Sequence, residues 1–230
     1  MKKTAITLLA VLGLTGLYAR GASEPGVDNS VEPTASQIFL DMPTITLDIL
    51  TKSMREDMLD YFKADSIYDV MNTMEGFSHI NPPVTPDYLQ VQITPVTRYT
   101  IMMLPYRGER IAMTLYTVGD SLQAPDTEIK FYNAGLEELK RDKFIKTLST
   151  DDFLDLKGVK GSLKKELQEI VPFPTVDYTV TPDGKRLTAR LTVSQFLTKE
   201  SLEKIEPYLR RKRHYTWDGN KWQLQPLETK

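Results

Sequence analysis

Apolar residues recur along this 230-residue chain with two different periods, and the switches between them outline the fold. Thr34-Ala35-Ser36 opens a short helix with Ile38, Phe39 and Met42 on one side, and Pro43 ends it. From about 47 to 63, Leu47, Leu50, Met54, Met58, Leu59, Tyr61 and Phe62 fall largely at three- and four-residue spacings, which predicts an amphipathic helix. Ile67, Val70, Met71 and Met74 predict a shorter helix over 66–74, with Gly76 placed to stop it. From Asp87 the period falls to two. The runs Tyr88–Thr94, Arg98–Pro105, Arg110–Val118 and Glu128–Tyr132 predict an antiparallel meander. One face of that sheet is expected to stay wet, with the helices of 34–74 covering the other.

The second half repeats the plan more loosely. Asp151 and Asp152 start a short helix with Phe153, Leu154 and Leu156, and Gly161-Ser162 opens another with Leu163, Leu167, Ile170 and Val171. Thr175–Thr181 and Arg186–Val193 form a hairpin around Pro182-Asp183-Gly184. A brief helix over 198–205 leads into a last hairpin, Pro207–Trp217 and Lys221–Gln225, through Asp218-Gly219-Asn220. The expected fold class is α+β. It has two related subdomains, 34–135 and 136–230, each a pair of helices followed by a roughly four-stranded antiparallel sheet.

The start of the chain changes the picture by giving an address. Lys2 and Lys3, the apolar stretch Ala5–Leu17 and the small residues Ala19 and Gly21 read as a secretory signal peptide over 1–21. Residues 22–33 are polar and rich in breakers, the composition of a disordered leader. With no cysteine in the chain there is no disulfide framework, no thiolate metal site and no lipid-attachment cysteine after the signal. Export to the periplasm, or beyond it, without a transmembrane anchor is the expectation. The charge balance of −2 argues against nucleic-acid binding, which leans on a strong positive field.

The segments Phe39-Leu40-Asp41-Met42-Pro43, Leu50-Thr51-Lys52 and Arg55–Phe62 resemble an exported Bacteroidales family of uncharacterised function, domain of unknown function 3256. The resemblance continues through Asp87-Tyr88-Leu89, Met103-Leu104-Pro105 and Ile129–Tyr132. These residues position a fold, so the resemblance implies family membership and no chemistry. At fold level the plan also looks like small envelope modules of the β-lactamase-inhibitor-protein kind.

Candidate chemistry is sparse. His79 and His214 are the only histidines, and neither has the partners a zinc site needs. Glu56 and Asp60 share a face of the second helix with Asp57 nearby, but paired glycosidase acids stand across a cleft. Asp151, Asp152 and Asp155 suit a helix N-terminus better than a calcium loop. Gly158–Ser162 lacks the phosphate-loop spacing. No cofactor, metal site or catalytic residue is assigned. The most distinctive feature is Arg210-Arg211-Lys212-Arg213 ahead of Tyr215, Trp217 and Trp222. Strand alternation puts Arg211, Arg213, Tyr215 and Trp217 on one face. That face reads either as a charged edge over buried tryptophans or as a recognition patch for an acidic protein, a polyanionic glycan or a lipid head group. The expected function is a non-catalytic binding module for an envelope protein or cell-surface polymer, with Arg211, Arg213, Tyr215, Trp217 and Trp222 as its contacts. The alternative is a hydrolase of glycan or peptide using His79 or the Glu56/Asp60 pair.

Overall fold

Two threonines begin the helical layer. In the computed structural model, which describes residues 32–64, 69–120 and 122–227, Thr34 caps α1 (Ala35–Asp41) by accepting from the Gln37 N–H at 3.2 Å. Thr51 does the same for α2 (Lys52–Lys63), accepting from the Met54 N–H at 3.3 Å. The expected signal peptide, 22–31 of the leader, and 66–68 of the third helix lie outside the described residues. The side chain of Arg55 joins the two helices. It is 1% exposed and donates to the carbonyls of Phe39 and Met42 at 2.7 and 2.6 Å, satisfying the C-terminal end of α1.

Where a third helix is expected, the chain instead turns back as a strand pair, β1 (Val70–Met71) and β2 (Phe77–Asn81). The cause is Asn72, whose Oδ1 accepts from the N–H groups of Met74 and Gly76 while its Nδ2 donates to Ser78 Oγ and the Ile93 carbonyl. One asparagine side chain thus pins a reversal that the helical spacing of Val70, Met71 and Met74 conceals.

A seven-stranded antiparallel sheet results, in strict chain order: β1, β2, β3 (Tyr88–Thr94), β4 (Thr97–Tyr106), β5 (Glu109–Val118), β6 (Asp126–Tyr132) and β7 (Glu138–Leu139). Four of these match the predicted meander, and β1, β2 and β7 extend it. Arg107 and Gly108 close the β4–β5 hairpin with positive φ (53° and 85°), as a two-residue loop between twisted strands requires.

Neither face of the middle of this sheet is wet. Leu89, Val91, Ile93, Tyr99, Ile101 and Met103 pack under Ile38, Phe39, Leu50 and Met58 of the helical layer. Met102, Leu104, Ile111, Met113, Leu115, Ile129 and Phe131 point the other way, into a core shared with Phe144, Phe153, Leu167, Tyr178 and Tyr215. The sequence expectation of one solvated face fails because the second half of the chain lies on it.

That second half carries α3 (Gly161–Ile170), β8 (Val176–Val180), β9 (Arg186–Leu191), α4 (Lys199–Ile205), β10 (Lys212–Trp217) and β11 (Trp222–Leu224). Its four strands form an antiparallel sheet in the order β11-β10-β9-β8. The free edge of β8 is held by side chains of β6: Val176 N–H donates to Asp126 Oδ1 at 2.9 Å and Tyr178 N–H to Thr127 Oγ1 at 3.0 Å. Asp177 accepts from Arg98 of β4 at 2.9 Å and from Arg190 of β9 at 3.0 Å, so one carboxylate ties both sheets.

Replacing Arg55 by methionine keeps the length of the side chain and leaves two buried carbonyls unpaired, so urea denaturation is expected to show a loss of about 2–4 kcal/mol. Glu56→Ala, on the exposed side of the same helix, is expected to stay within about 0.5 kcal/mol. A loss at Arg55 no larger than at Glu56 would contradict this role.

Candidate functional site

The last hairpin is built on its turn. Asp218 Oδ1 accepts from the N–H groups of Asn220 and Lys221, both at 2.8 Å, and Oδ2 accepts from Gln223 Nε2 at 2.6 Å. Those donors, Gln223 foremost, hold the Asp218 carboxyl down at about 2.

The alternation of β10 is as the sequence predicts, and its aromatic face is the inward one. Tyr215 is fully buried and donates its hydroxyl to the Lys146 carbonyl at 3.1 Å; burial pushes its phenol far up. Arg213, also buried, donates to the carbonyls of Asp152 and Gln225. Trp217 donates its indole N–H to the Pro105 carbonyl at 2.9 Å and meets Trp222 edge-to-face at 5.5 Å between centroids. Arg211 lies just before β10, partly exposed, in a two-pronged pair with Glu206 at 2.7 and 2.5 Å. Arg213, Tyr215, Trp217 and Trp222 thus fasten the hairpin to the body, and the opposite face of β10 presents Lys212, His214 and Thr216.

An opening lies along the other strand of the hairpin. β11 and the segment 142–147 enclose a cleft of about 550 Å³, lined by Asp142, Lys143, Lys146 and Thr147 on one side and by Lys221, Trp222 and Gln223 on the other. Two backbone links hold its walls at fixed spacing: Trp222 N–H donates to the Phe144 carbonyl at 2.7 Å, and Ile145 bridges Trp222. Lys146 is paired with Asp152 at 2.5 Å. Lys143 and Lys221 are exposed and carry no ion pair among the described residues. The Trp222 indole N–H, in a residue 2% exposed, has no acceptor there, and neither does Nε of Arg141, whose Nη1 donates to Thr147 at 2.7 Å. The cleft therefore has a surplus of positive charge over its one carboxylate, Asp142. Such a lining suits an acceptor-rich, negatively charged group.

Sequence reasoning reached Trp222 and missed the opposing wall. A signal was there in Lys140-Arg141-Asp142-Lys143-Phe144-Ile145-Lys146, four basic residues in seven. It carries no helical or strand period, so nothing marked it as a surface facing the hairpin.

The remaining candidates are placed separately. His79 stands in β2 rather than in a loop, with Nδ1 3.0 Å from Asp69 Oδ1. Its neighbour Ser78 points to the opposite face, buried, donating to the Ile93 carbonyl. Glu56, Asp57 and Asp60 are exposed on α2. Asp151 accepts from Gln168, Asp155 pairs with Arg210, and Asp152 caps the 3-10 turn Thr150–Phe153 through the Ser149 N–H. Lys160, not Ser162, occupies the N-cap of α3. Among the described residues no three histidine, aspartate or glutamate side chains are grouped to hold a metal.

Asp152 yields a pH prediction. Its burial would raise its pKa, but hydrogen bonds from Lys146 and from Ser149 outweigh that and hold the carboxyl below its ordinary value. The folded state therefore binds this proton more weakly than the unfolded chain. The stabilisation is fully present above the ordinary carboxyl pKa of about 4 and is lost as pH falls through the lower folded value. Melting temperatures from pH 7 to 2 are expected to fall less steeply below pH 4 in Asp152→Asn than in the wild type. Parallel curves would remove Asp152 from the acid response.

A solved domain of an uncharacterized protein from Porphyromonas gingivalis W83 shares the fold, with a TM-score of 0.66 at 20% identity over 85% of this chain and 99% of that one. No curated protein matches the chain. The model of the family described as "Protein of unknown function (DUF3256)" matches residues 29–222, and the chain belongs to that family.

Proposed function

We propose that this protein is exported to the periplasm or cell exterior and works there as a non-catalytic binding module for an acidic envelope protein or cell-surface polymer. The export reading rests on the signal-like order of Lys2, Lys3, the apolar stretch and the small residues at 19 and 21. No helix among the described residues is long and apolar enough to cross a membrane. The observation that carries the binding reading is the cleft beside β11, lined by Trp222 and by the exposed Lys143 and Lys221, which carry no ion pair among the described residues. Trp222 and the basic character expected of this hairpin keep their place in the reading. The contact surface shifts from the face of β10 to the cleft beside β11, and Arg211, paired with Glu206, leaves it.

Tryptophan fluorescence is the direct test, because Trp222 lines the cleft and its ring meets that of Trp217. Titration with polygalacturonate and, separately, poly-glutamate is expected to give salt-dependent binding. Lys143→Glu/Lys221→Glu is expected to weaken it at least about tenfold, as loss and reversal of two charge-assisted contacts implies. Arg211→Ala, which removes a side chain already paired with Glu206, is expected to change binding less than about threefold. Equal affinity in the double variant, or no binding of either polyanion by the wild type, would overturn the proposal. The better-bound polyanion tells polymer from protein as partner.

A further inference from the structure

The helical layer covers only part of its side of the large sheet. Among the described residues α1 packs mainly on β3 and β4 and α2 on β1 and β2, which leaves β5, β6 and β7 largely uncovered by these helices. The uncovered area is not an ordinary wet face. Register lines up Tyr99, Tyr116 and Glu128 across β4, β5 and β6, then Thr114 beside Lys130, then Ala112, Tyr132 and Glu138. The small side chain of Thr114 in the middle strand leaves a hollow between Tyr99, Tyr116 and Tyr132. The loop 43–46 and the β6–β7 turn rise on either side, making a pocket of about 450 Å³, within the usual size of small-ligand sites.

Both walls are set before any ligand arrives. In the first, Thr46 N–H donates to the Pro43 carbonyl at 2.9 Å; in the second, Asn133 Oδ1 accepts from the N–H groups of Gly135 and Glu137, both at 3.0 Å. Ile45 stands at the rim almost fully exposed, at 91%. At the floor, Tyr99 is 2% exposed, and among the described residues its hydroxyl has only Thr114, itself a pocket-lining residue, within reach as a partner, with no well-formed hydrogen bond. A buried phenol with so weak a partner is under-satisfied, and here both Tyr99 and Thr114 line an open hollow.

The chemistry of the lining narrows the ligand. Glu128 is paired with Lys130 at 3.2 Å, so the pocket holds one further carboxylate, Glu138, and no excess of cations. A cationic ligand would call for more unpaired carboxylates, and an anionic one for more ammonium groups. Burial raises the phenol pKa values of Tyr99, Tyr116 and Tyr132, so each ring keeps a hydroxyl that both donates and accepts. Hydroxyls, a carboxylate and an ammonium interspersed with aromatic faces match a ligand that is itself a ring of hydroxyls with an apolar side. We propose that this pocket binds a neutral sugar residue, presented as the end or branch of a glycan. The site is on the opposite face of the sheet from the basic cleft and does not depend on it.

The test is an amide-resolved NMR titration of the protein with the methyl glycosides of galactose, mannose and N-acetylglucosamine, and with tetramethylammonium as the cationic probe. At least one glycoside is expected to shift the amides of Thr114, Tyr116, Lys130 and Tyr132. Glu128→Gln and Tyr132→Phe are expected to weaken that glycoside by about tenfold each, the value of one charge-assisted or buried hydrogen bond. Tyr99→Phe guards against mere unfolding: it removes a hydroxyl whose one weak partner is Thr114, so its melting temperature should stay within a few degrees of the wild type while its affinity falls. Lys221→Glu should leave the shifts unchanged. The proposal fails if no glycoside moves those amides, if tetramethylammonium moves them and the glycosides do not, or if Tyr99→Phe binds as the wild type does.

Discussion

The middle strands of the large sheet are apolar on both faces, and the other layers of the molecule are arranged to answer that. Along β4 the side chains from Tyr99 to Leu104 are all buried, alternating between the helical layer and the second sheet. A half-exposed antiparallel strand would interleave polar residues there, and a strand buried on both sides reads as a continuous apolar run. Covering it takes two separate devices. Arg55 fixes α1 to α2 so that their apolar sides descend together on one face. Asp126, Thr127 and Asp177 of the β6–β8 region fix the second sheet on the other. The two candidate ligand sites sit where those covers run out: the basic cleft between β11 and the segment 142–147 bridged to it, and the tyrosine pocket beside the helical layer.

The parts of this plan readable from residues alone are those whose cause is local. Threonine caps before α1 and α4 and the Asp218-Gly219-Asn220 turn each act within a few positions, and each is where the sequence places it, whereas the Thr51 cap starts α2 at Lys52, later than the expected start near 47. The third helix was misread because Val70, Met71 and Met74 satisfy a helical spacing by chance of a tight turn. Asn72 decides the matter through bonds to Ser78 and Ile93, the latter twenty-one positions away. The same holds for the faces of the sheets. Alternation along β10 says which residues travel together, but only the docked core says which set is inside. The tyrosine pocket is the extreme case, since its floor is assembled by register across three strands and no short segment contains it.

Charge is used inside this protein mainly as a fastener. Asp177 is buried between two arginines from different sheets, and Arg213 spends its guanidinium on two main-chain carbonyls. Removing one partner from such an arrangement leaves an uncompensated charge or bare carbonyls, which is far more damaging than losing an exposed pair. The basic run 210–213 therefore divides by depth. Arg210 and Arg211 neutralise Asp155 and Glu206 near the surface, Arg213 works in the interior, and Lys212 faces outward between them.

The capture of the β8 edge by side chains of β6 has a consequence for life at high concentration. Its amides are taken by a carboxylate and a hydroxyl rather than by another strand, which closes the ladder without offering a template for the next one. The large sheet tapers at both ends to strands of two residues, β1 and β7, and β11 at the far end of the small sheet has three. Short or capped margins give a neighbouring copy little backbone to add to. Among the described residues, then, this architecture discourages strand-by-strand polymerisation and leaves partner choice to side-chain chemistry.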